Sequence, residues 1–270
     1  MTAAQRKTPA EARPGEDRQA EARKGEASRL HTHVPVAGVD LLADVLGALF
    51  HEGDRVLLVA DLHLEKGSSF ARRGMMLPPY DTAATLAKLA VVVARYTPRL
   101  VIALGDSFHD RGGSTRLGDA DRAALTRLQA GRDWLWLAGN HDPAAPAGLG
   151  GATSDVWHLG PLTLRHEPKP GTGQPGGGQN GMGADDTHGE IAGHLHPVAV
   201  VAGASGAVRR RCFVSDGSRC IMPAFGAYAG GLNFRHPAFA GLLTSGRRIA
   251  HALGRDRVYA IPEHRCLAGA

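Results

Sequence analysis

The 270-residue sequence is 43% hydrophobic and 21% charged, enough apolar surface for one sizeable core and not the composition of a fibrous or wholly disordered chain. No apolar run reaches the roughly 18–20 residues that cross a bilayer; the best candidate, Leu86 to Ala94, is broken by Lys88, and nothing near the N-terminus reads as a secretory signal. Three cysteines without CxxC spacing argue against a disulfide framework and for a reducing, cytoplasmic compartment, while a net charge of +5 favours an anionic partner.

Residues 1–30 are rich in Ala, Glu, Arg and Lys, carry Pro9, Pro14 and Gly15, and hold too few large apolar side chains to offset their ordering entropy. The expectation is a disordered tail followed by one domain over residues 31–265. Leu46 to His51 and Arg55 to Ala60 flank Glu52-Gly53-Asp54, predicting a β-hairpin. A helix is predicted over Thr82 to Tyr96, capped by Asp81 and ended by Pro98. Leu100 to Leu104 reads as a buried strand, Asp119 or Asp121 opens a second helix to about Ala130, and Trp134 to Leu137 is a third strand. This alternation predicts parallel strands with right-handed crossovers.

Leu162 to Leu164 and Glu190 to Ala192 read as shorter strands, separated by a Gly-rich surface insertion at about 168–189. Four later runs, Arg211 to Val214, Ala240 to Leu243, Arg248 to Ala252 and Arg257 to Ile261, suggest a second sheet.

Each predicted core strand is followed by residues that ligate metals. Val56 to Ala60 leads to Asp61 and His63, Leu100 to Leu104 to Gly105-Asp106, and Trp134 to Ala138 to Gly139-Asn140-His141-Asp142. Leu162 to Leu164 leads to His166, and Glu190 to Ala192 to Gly193-His194-Leu195-His196. In open α/β sheets ligands bind beyond the carboxyl ends of the strands, so these side chains should share one crevice. A carboxylate such as Asp106 can bridge two cations, and Asn140 offers a neutral oxygen that limits repulsion of a phosphate. Glycines 105, 139 and 193 would permit the sharp turns that hand each ligand inward. Mixed nitrogen and oxygen donors suit Mn, Fe or Zn better than Ca or Mg. Singly, each motif also reads as an ordinary turn or solvated loop; five in order, each at a strand end, do not. His166 stands alone, and His158 and His188 are alternatives for its place.

In this order the motifs resemble the calcineurin-like metallophosphoesterase superfamily. The resemblance implies a four-layer α/β/β/α sandwich with its active site at the C-terminal ends of the strands, and two divalent metal ions, Mn2+ foremost. It further implies one metal on Asp61, His63, Asp106 and His196, a second on Asp106, Asn140, His166 and His194, and His141 as the catalytic group that protonates the leaving oxygen. Where many members carry an acid, three places after the Gly-Asp carboxylate, this chain has His109; Asp110 and Asp142 are the candidates for orienting His141.

Longer runs, Ala60 to Phe70, Leu77 to Thr82, Gly105 to Asp110, Gly193 to Pro197 and Pro223 to Asn233, resemble the ligase-associated DNA damage response endonuclease PdeM group. That likeness implies a phosphodiesterase acting on DNA, with a functional link to an ATP-dependent DNA ligase, an exonuclease and a helicase, and no membrane partner. A phosphatase or pyrophosphohydrolase acting on nucleotides or other small phosphorylated molecules would need the same metals. Arg72 and Arg73 are candidate phosphate contacts or a solvated turn. Arg209 to Arg211 either track a nucleic-acid backbone or protect a strand edge. Phe225 and Tyr228 either line the cleft or pack in the core.

Overall fold

The computed structural model describes residues 29–144, 146–170, 189–204 and 206–269. The expected N-terminal tail, apart from Arg29 and Leu30, and residues 171–188 of the Gly-rich insertion lie outside them.

Among the described residues, seven strands form a first sheet in sequence order: β1 (His31–Val36), β2 (Val39–Asp44), β3 (Leu49–His51), β4 (Val56–Val59), β5 (Leu100–Leu104), β6 (Asp133–Leu137) and β7 (Ala152–Ser154). The hairpin of β3 and β4 is antiparallel, while β4, β5, β6 and β7 run parallel. Helices α1 (Lys66–Ala71), α2 (Asp81–Tyr96), α3 (Gly113–Arg116) and α4 (Asp119–Gln129) fill the connections. The parallel strands read as unbroken apolar runs because both faces are covered. Leu57, Val59, Val101, Ala103, Trp134 and Trp136 meet Leu86, Leu89, Val92 and Val93 of α2 and Leu125 of α4.

The second sheet is ordered β14 (Leu232–Asn233), β11 (Pro197–Gly203), β12 (Gly206–Ser215), β13 (Arg219–Ile221), β10 (Gly189–Ala192), β9 (Leu162–Arg165), β8 (Val156–Leu159); β15 (Ile249–Leu253) pairs with β12 and with β16 (Val258–Pro262). Between the sheets, Leu58, Ile102, Leu104 and Leu137 pack on Leu162, Leu164, Ile191, Phe213 and Met222. The outer face of the second sheet is covered by Phe234, Phe239, Leu242 and Leu243. The layers therefore run helix, sheet, sheet and a loop-rich cover that contains a 3-10 turn at Pro237–Phe239.

Two local expectations are corrected. Asp81 is the first residue of α2 rather than its cap; its carboxylate instead accepts the Gly67 amide at 3.1 Å. Ala240 to Leu243 is not a strand: Gly241 turns with φ +73°, and Leu242 and Leu243 point into the core from a loop.

Candidate metal centre

The strands of both sheets end at one mouth of the sandwich. There β4 delivers Asp61 and His63, β5 delivers Asp106, and β6 delivers Asn140 and His141; β9 and β10 bring His166, His194 and His196 from the other sheet. The ladder continues past β4 and β5. Asp61 N donates to Gly105 O at 3.3 Å, His63 N to Asp106 O at 2.9 Å and Leu64 N to Ser107 O at 2.9 Å.

Asp61, His63, Asp106, His194 and His196 all have positive φ, between 44° and 70°. Side chains other than glycine enter this region at a cost, about 1–3 kcal/mol each, and stay only where the surroundings hold them. The turn assigned in the sequence to Gly193 is thus made by His194 and His196, and beside Gly139 neither the glycine nor Asn140 has a positive φ. What those two glycines provide is close approach: a Cβ on Gly139 would lie 2.2 Å from Asp106 N, and one on Gly193 would lie 2.6 Å from Asp61 Oδ2.

Two groups of donor atoms result, one of Asp61, His63 and His196 and one of Asp106, His166 and His194, each within 4.8 Å. In the first, His196 Nε2 lies 3.2 Å from Asp61 Oδ1 and 3.2 Å from His63 Nε2. In the second, His166 Nε2 lies 3.4 Å from Asp106 Oδ2, 3.2 Å from His194 Nδ1 and 2.9 Å from Asn140 Oδ1, which is itself 3.1 Å from His194 Nδ1. Asp61 touches both groups, accepting the His194 amide at 3.0 Å. His158, the alternative to His166, sits on the exposed side of β8 beside Thr163, and His188 lies outside the described residues.

These residues fit divalent cations by their chemistry. His166 donates Nδ1–H to Leu104 O at 2.9 Å, which leaves its Nε2 lone pair facing carboxylate, amide and imidazole acceptors. Lone pairs so crowded repel one another unless positive charge lies between them. The site draws such charge in: burial alone would lower the pKa of His166, but Asp106 and Asp61 outweigh it and raise it to about 9. His63 behaves differently, with burial lowering it to about 3 and leaving a neutral imidazole fit to ligate.

His141 sits beside the first group, its ring 5.5 Å from that of His63, and its Nε2 is 3.8 Å from Asp106 Oδ2. Its amide donates to Asp106 Oδ1 at 2.9 Å. Neither carboxylate proposed to orient it does so. Asp110 forms a two-point pair with Arg116, at 2.8 Å on each oxygen, and Asp142 accepts the Phe108 amide at 2.9 Å. The orienting partner is the carbonyl of His109, whose ring stacks on His141 at 5.3 Å.

Arg72 and Arg73 are exposed just after α1, and the Arg73 charge reaches His109. Of the two aromatic candidates, Phe225 is fully buried against α2, whereas Tyr228 is 38% exposed. Arg211 departs from its exposed neighbours Arg209 and Arg210 and turns inward, where it binds the carbonyls of Ala224 and Gly226. In the sequence Arg211 reads as part of a surface cluster and Lys88 of α2 as a break in an apolar run, although a lysine inside an apolar helical stripe is itself a signal of a buried partner.

The family model for the calcineurin-like phosphoesterase matches residues 54–197, a stretch that contains every donor named above. Among solved structures, the chain is similar to the nuclease MPE of Pseudomonas putida, with 27% sequence identity and a TM-score of 0.62, over 86% of this chain and 100% of that one. Comparison with the curated proteins gives no match.

Proposed function

The chain belongs to the calcineurin-like phosphoesterase family, and is on that ground a metal-dependent phosphoesterase; we propose that it is a dinuclear phosphodiesterase acting on DNA. The observation that carries the reading is the pairing of two donor groups, Asp61 with His63 and His196, and Asp106 with Asn140, His166 and His194, at one mouth of the fold. Divalent cations held there polarise phosphoryl oxygens and acidify water; the mixed donors favour Mn2+, with Fe and Zn as the next choices.

The chain's own residues supply the rest. Asn140 contributes an uncharged oxygen, so an anionic phosphate meets one carboxylate fewer. His141, with Nδ1–H committed to His109 O, presents a half-exposed Nε2 that holds the proton for the departing oxygen. Lys66 and Arg73, whose charges reach His109, and the exposed Arg72 add positive charge that suits a phosphodiester backbone. The likeness to a nuclease and the net charge of +5 support nucleic acid over a small phosphomonoester. A role in DNA repair beside an ATP-dependent ligase, an exonuclease and a helicase, in the cytoplasm, completes the proposal; no helix among the described residues is long and apolar enough to cross a membrane.

The test is to reconstitute the full chain with Mn2+ and offer a chromogenic diester, a monoester and supercoiled plasmid side by side. Hydrolysis of the diester with nicking of the plasmid is expected. Turnover of the monoester alone would overturn the DNA reading in favour of a small-molecule phosphatase.

A further inference from the structure

The segment 224–227 passes directly beneath the turn that carries Asp61 and His63. Phe225 N donates to Ala60 O at 2.8 Å and Gly226 N to Asp61 O at 3.0 Å, while a Cβ on Gly226 would lie 2.4 Å from Leu62 O. These amides grip the carbonyls on either side of Asp61, a residue held at φ +53°. The segment's own carbonyls face the other way, toward two cations. Arg211 donates to Ala224 O at 3.1 Å and to Gly226 O at 3.2 Å. Lys88 donates to Phe225 O, and its ammonium stands 3.9 Å over the Phe225 ring.

Neither cation has an ion-pair partner among the described residues. The one buried acid near Lys88, Asp44, is already bound by Arg95 and Tyr96. Two like charges gathered without a counterion cost free energy, and burial pushes the Lys88 pKa down to about 7. Replacing such a group by a well-packed apolar one is often neutral or stabilising. Stability alone therefore gives a poor account of the pair. Alignment of three successive carbonyls gives a better one, since those peptide units carry the amides that hold the Asp61 turn.

Helix α2 adds to the same register. Asp81, Thr82, Thr85 and Lys88 lie along one stripe of it. Asp81 takes the Gly67 amide, Thr82 the Glu65 amide at 2.9 Å, and Thr85 the Ala227 amide at 3.0 Å.

We propose that Lys88 and Arg211 are positioning residues, a pair of half-buried cations that clamp the carbonyls of residues 224–226 so that this segment presents Asp61 and His63 to a metal ion. The proposal rests on the reading of Asp61, His63 and His196 as ligands of one ion. Partners of metal ligands commonly contribute about 10–100-fold in affinity.

The experiment is calorimetric titration of the metal-free full chain with Mn2+, for wild type, Asp61→Asn, Lys88→Met and Arg211→Met, with thermal melts of each metal-free protein. Wild type should show two binding events, and Asp61→Asn should identify the one that belongs to this group. Each methionine variant should weaken that event about tenfold or more and leave the other within about twofold, with a metal-free melting midpoint unchanged or higher. Unchanged affinity in a folded variant overturns the clamp, as does equal weakening of both events together with a lower midpoint. Lys88→Gln and Arg211→Gln replace any methionine variant that does not fold; loss of the fold in all four overturns the local role. A wild type without two events, or an Asp61→Asn variant with both intact, refutes the ligand reading instead and takes the clamp with it.

Discussion

His141 donates its Nδ1–H to the main-chain carbonyl of His109, 2.8 Å away, and not to a carboxylate. A carbonyl fixes the ring's tautomer and direction without adding a full negative charge behind it. The remaining nitrogen, Nε2, lies 3.8 Å from Asp106 Oδ2 on a side chain that is 40% exposed.

On the proposed function, His141 is a proton carrier rather than a ligand. His141→Ala should lower kcat by about 10²–10⁴-fold, the usual weight of general acid catalysis, while the protein still binds its metal ions. Kinetics on a diester together with metal analysis checks both halves. Loss of metal from the variant would reassign His141 as a ligand.

Asp110 should matter to stability and little to proton transfer, since both its oxygens are engaged by Arg116. That guanidinium holds the Asp110 carboxyl well below the usual carboxylate range. A depressed acid stabilises the fold above its unfolded pKa of about 3.9 and loses that contribution as pH falls. Asp110→Asn should therefore destabilise by about 1 kcal/mol or less near neutrality, and the gap from wild type should close in acid. Denaturation at pH 7 and below pH 4 measures it. A drop in kcat as deep as that of His141→Ala would restore Asp110 as the orienting acid.

Much of the site was legible because strands β4, β5 and β6 are covered on both faces. Their sequences, Val56 to Val59, Leu100 to Leu104 and Trp134 to Leu137, are unbroken apolar runs, and each hands over to polar residues where the sheet ends. The contributions that escaped notice are non-local. Lys88 binds a carbonyl 137 positions away, and no periodicity shows why an ammonium should be welcome there. Ala240 to Leu243 fails in the opposite sense: burial makes it apolar, and an apolar run of four does not distinguish a strand from a loop that packs. The partner of His141 was invisible for a third reason, because it is a backbone carbonyl, which has no residue type.

Gly139 is the position where one methyl group should do most harm. Its Cβ would stand 2.2 Å from Asp106 N and 2.3 Å from Asp106 Oδ1, so either Asp106 or β6 must move. Gly139→Ala should destabilise the metal-free fold by about 3 kcal/mol or more, or abolish metal binding. Gly246→Ala offers the converse case: it carries the strain of a positive φ, which Gly139 does not have, and nothing lies within 4 Å of its Cβ. Thermal melts and metal stoichiometry of the two variants separate collision from backbone strain. Equal, mild losses in both would remove the case for close approach at Gly139.

Arg72 and Arg73 should act on the nucleic acid and not on the reaction itself. Arg72→Ala and Arg73→Ala are expected to raise KM for DNA and flatten its salt dependence by about one unit of slope per lost phosphate contact. Turnover of a small chromogenic diester should stay near wild type. Plasmid nicking and diester kinetics across a salt series decide it, and a KM for DNA that does not move would return both arginines to the solvated turn.

Lys88 makes the pH dependence of stability informative. Its pKa falls from 10.5 to about 7 on folding, chiefly through burial, with the Arg211 charge adding to the fall and Asp44 opposing it. Between those two values the unfolded chain binds the proton that the folded chain has released, so this group makes unfolding free energy rise with pH across that window. Below pH 7 both states are protonated and the penalty is constant. The expected rise is roughly 1–3 kcal/mol, reduced from full burial because the Phe225 carbonyl and ring still favour the ammonium. The buried thiols of Cys212 and Cys220 and the Tyr96 hydroxyl, all raised chiefly by burial, pull the other way in alkali. The diagnostic is therefore the difference between wild type and Lys88→Met, measured by denaturant unfolding from pH 6 to 10. The variant should gain most over wild type at the acid end and least at the alkaline end, and parallel profiles would show that Lys88 keeps its proton throughout.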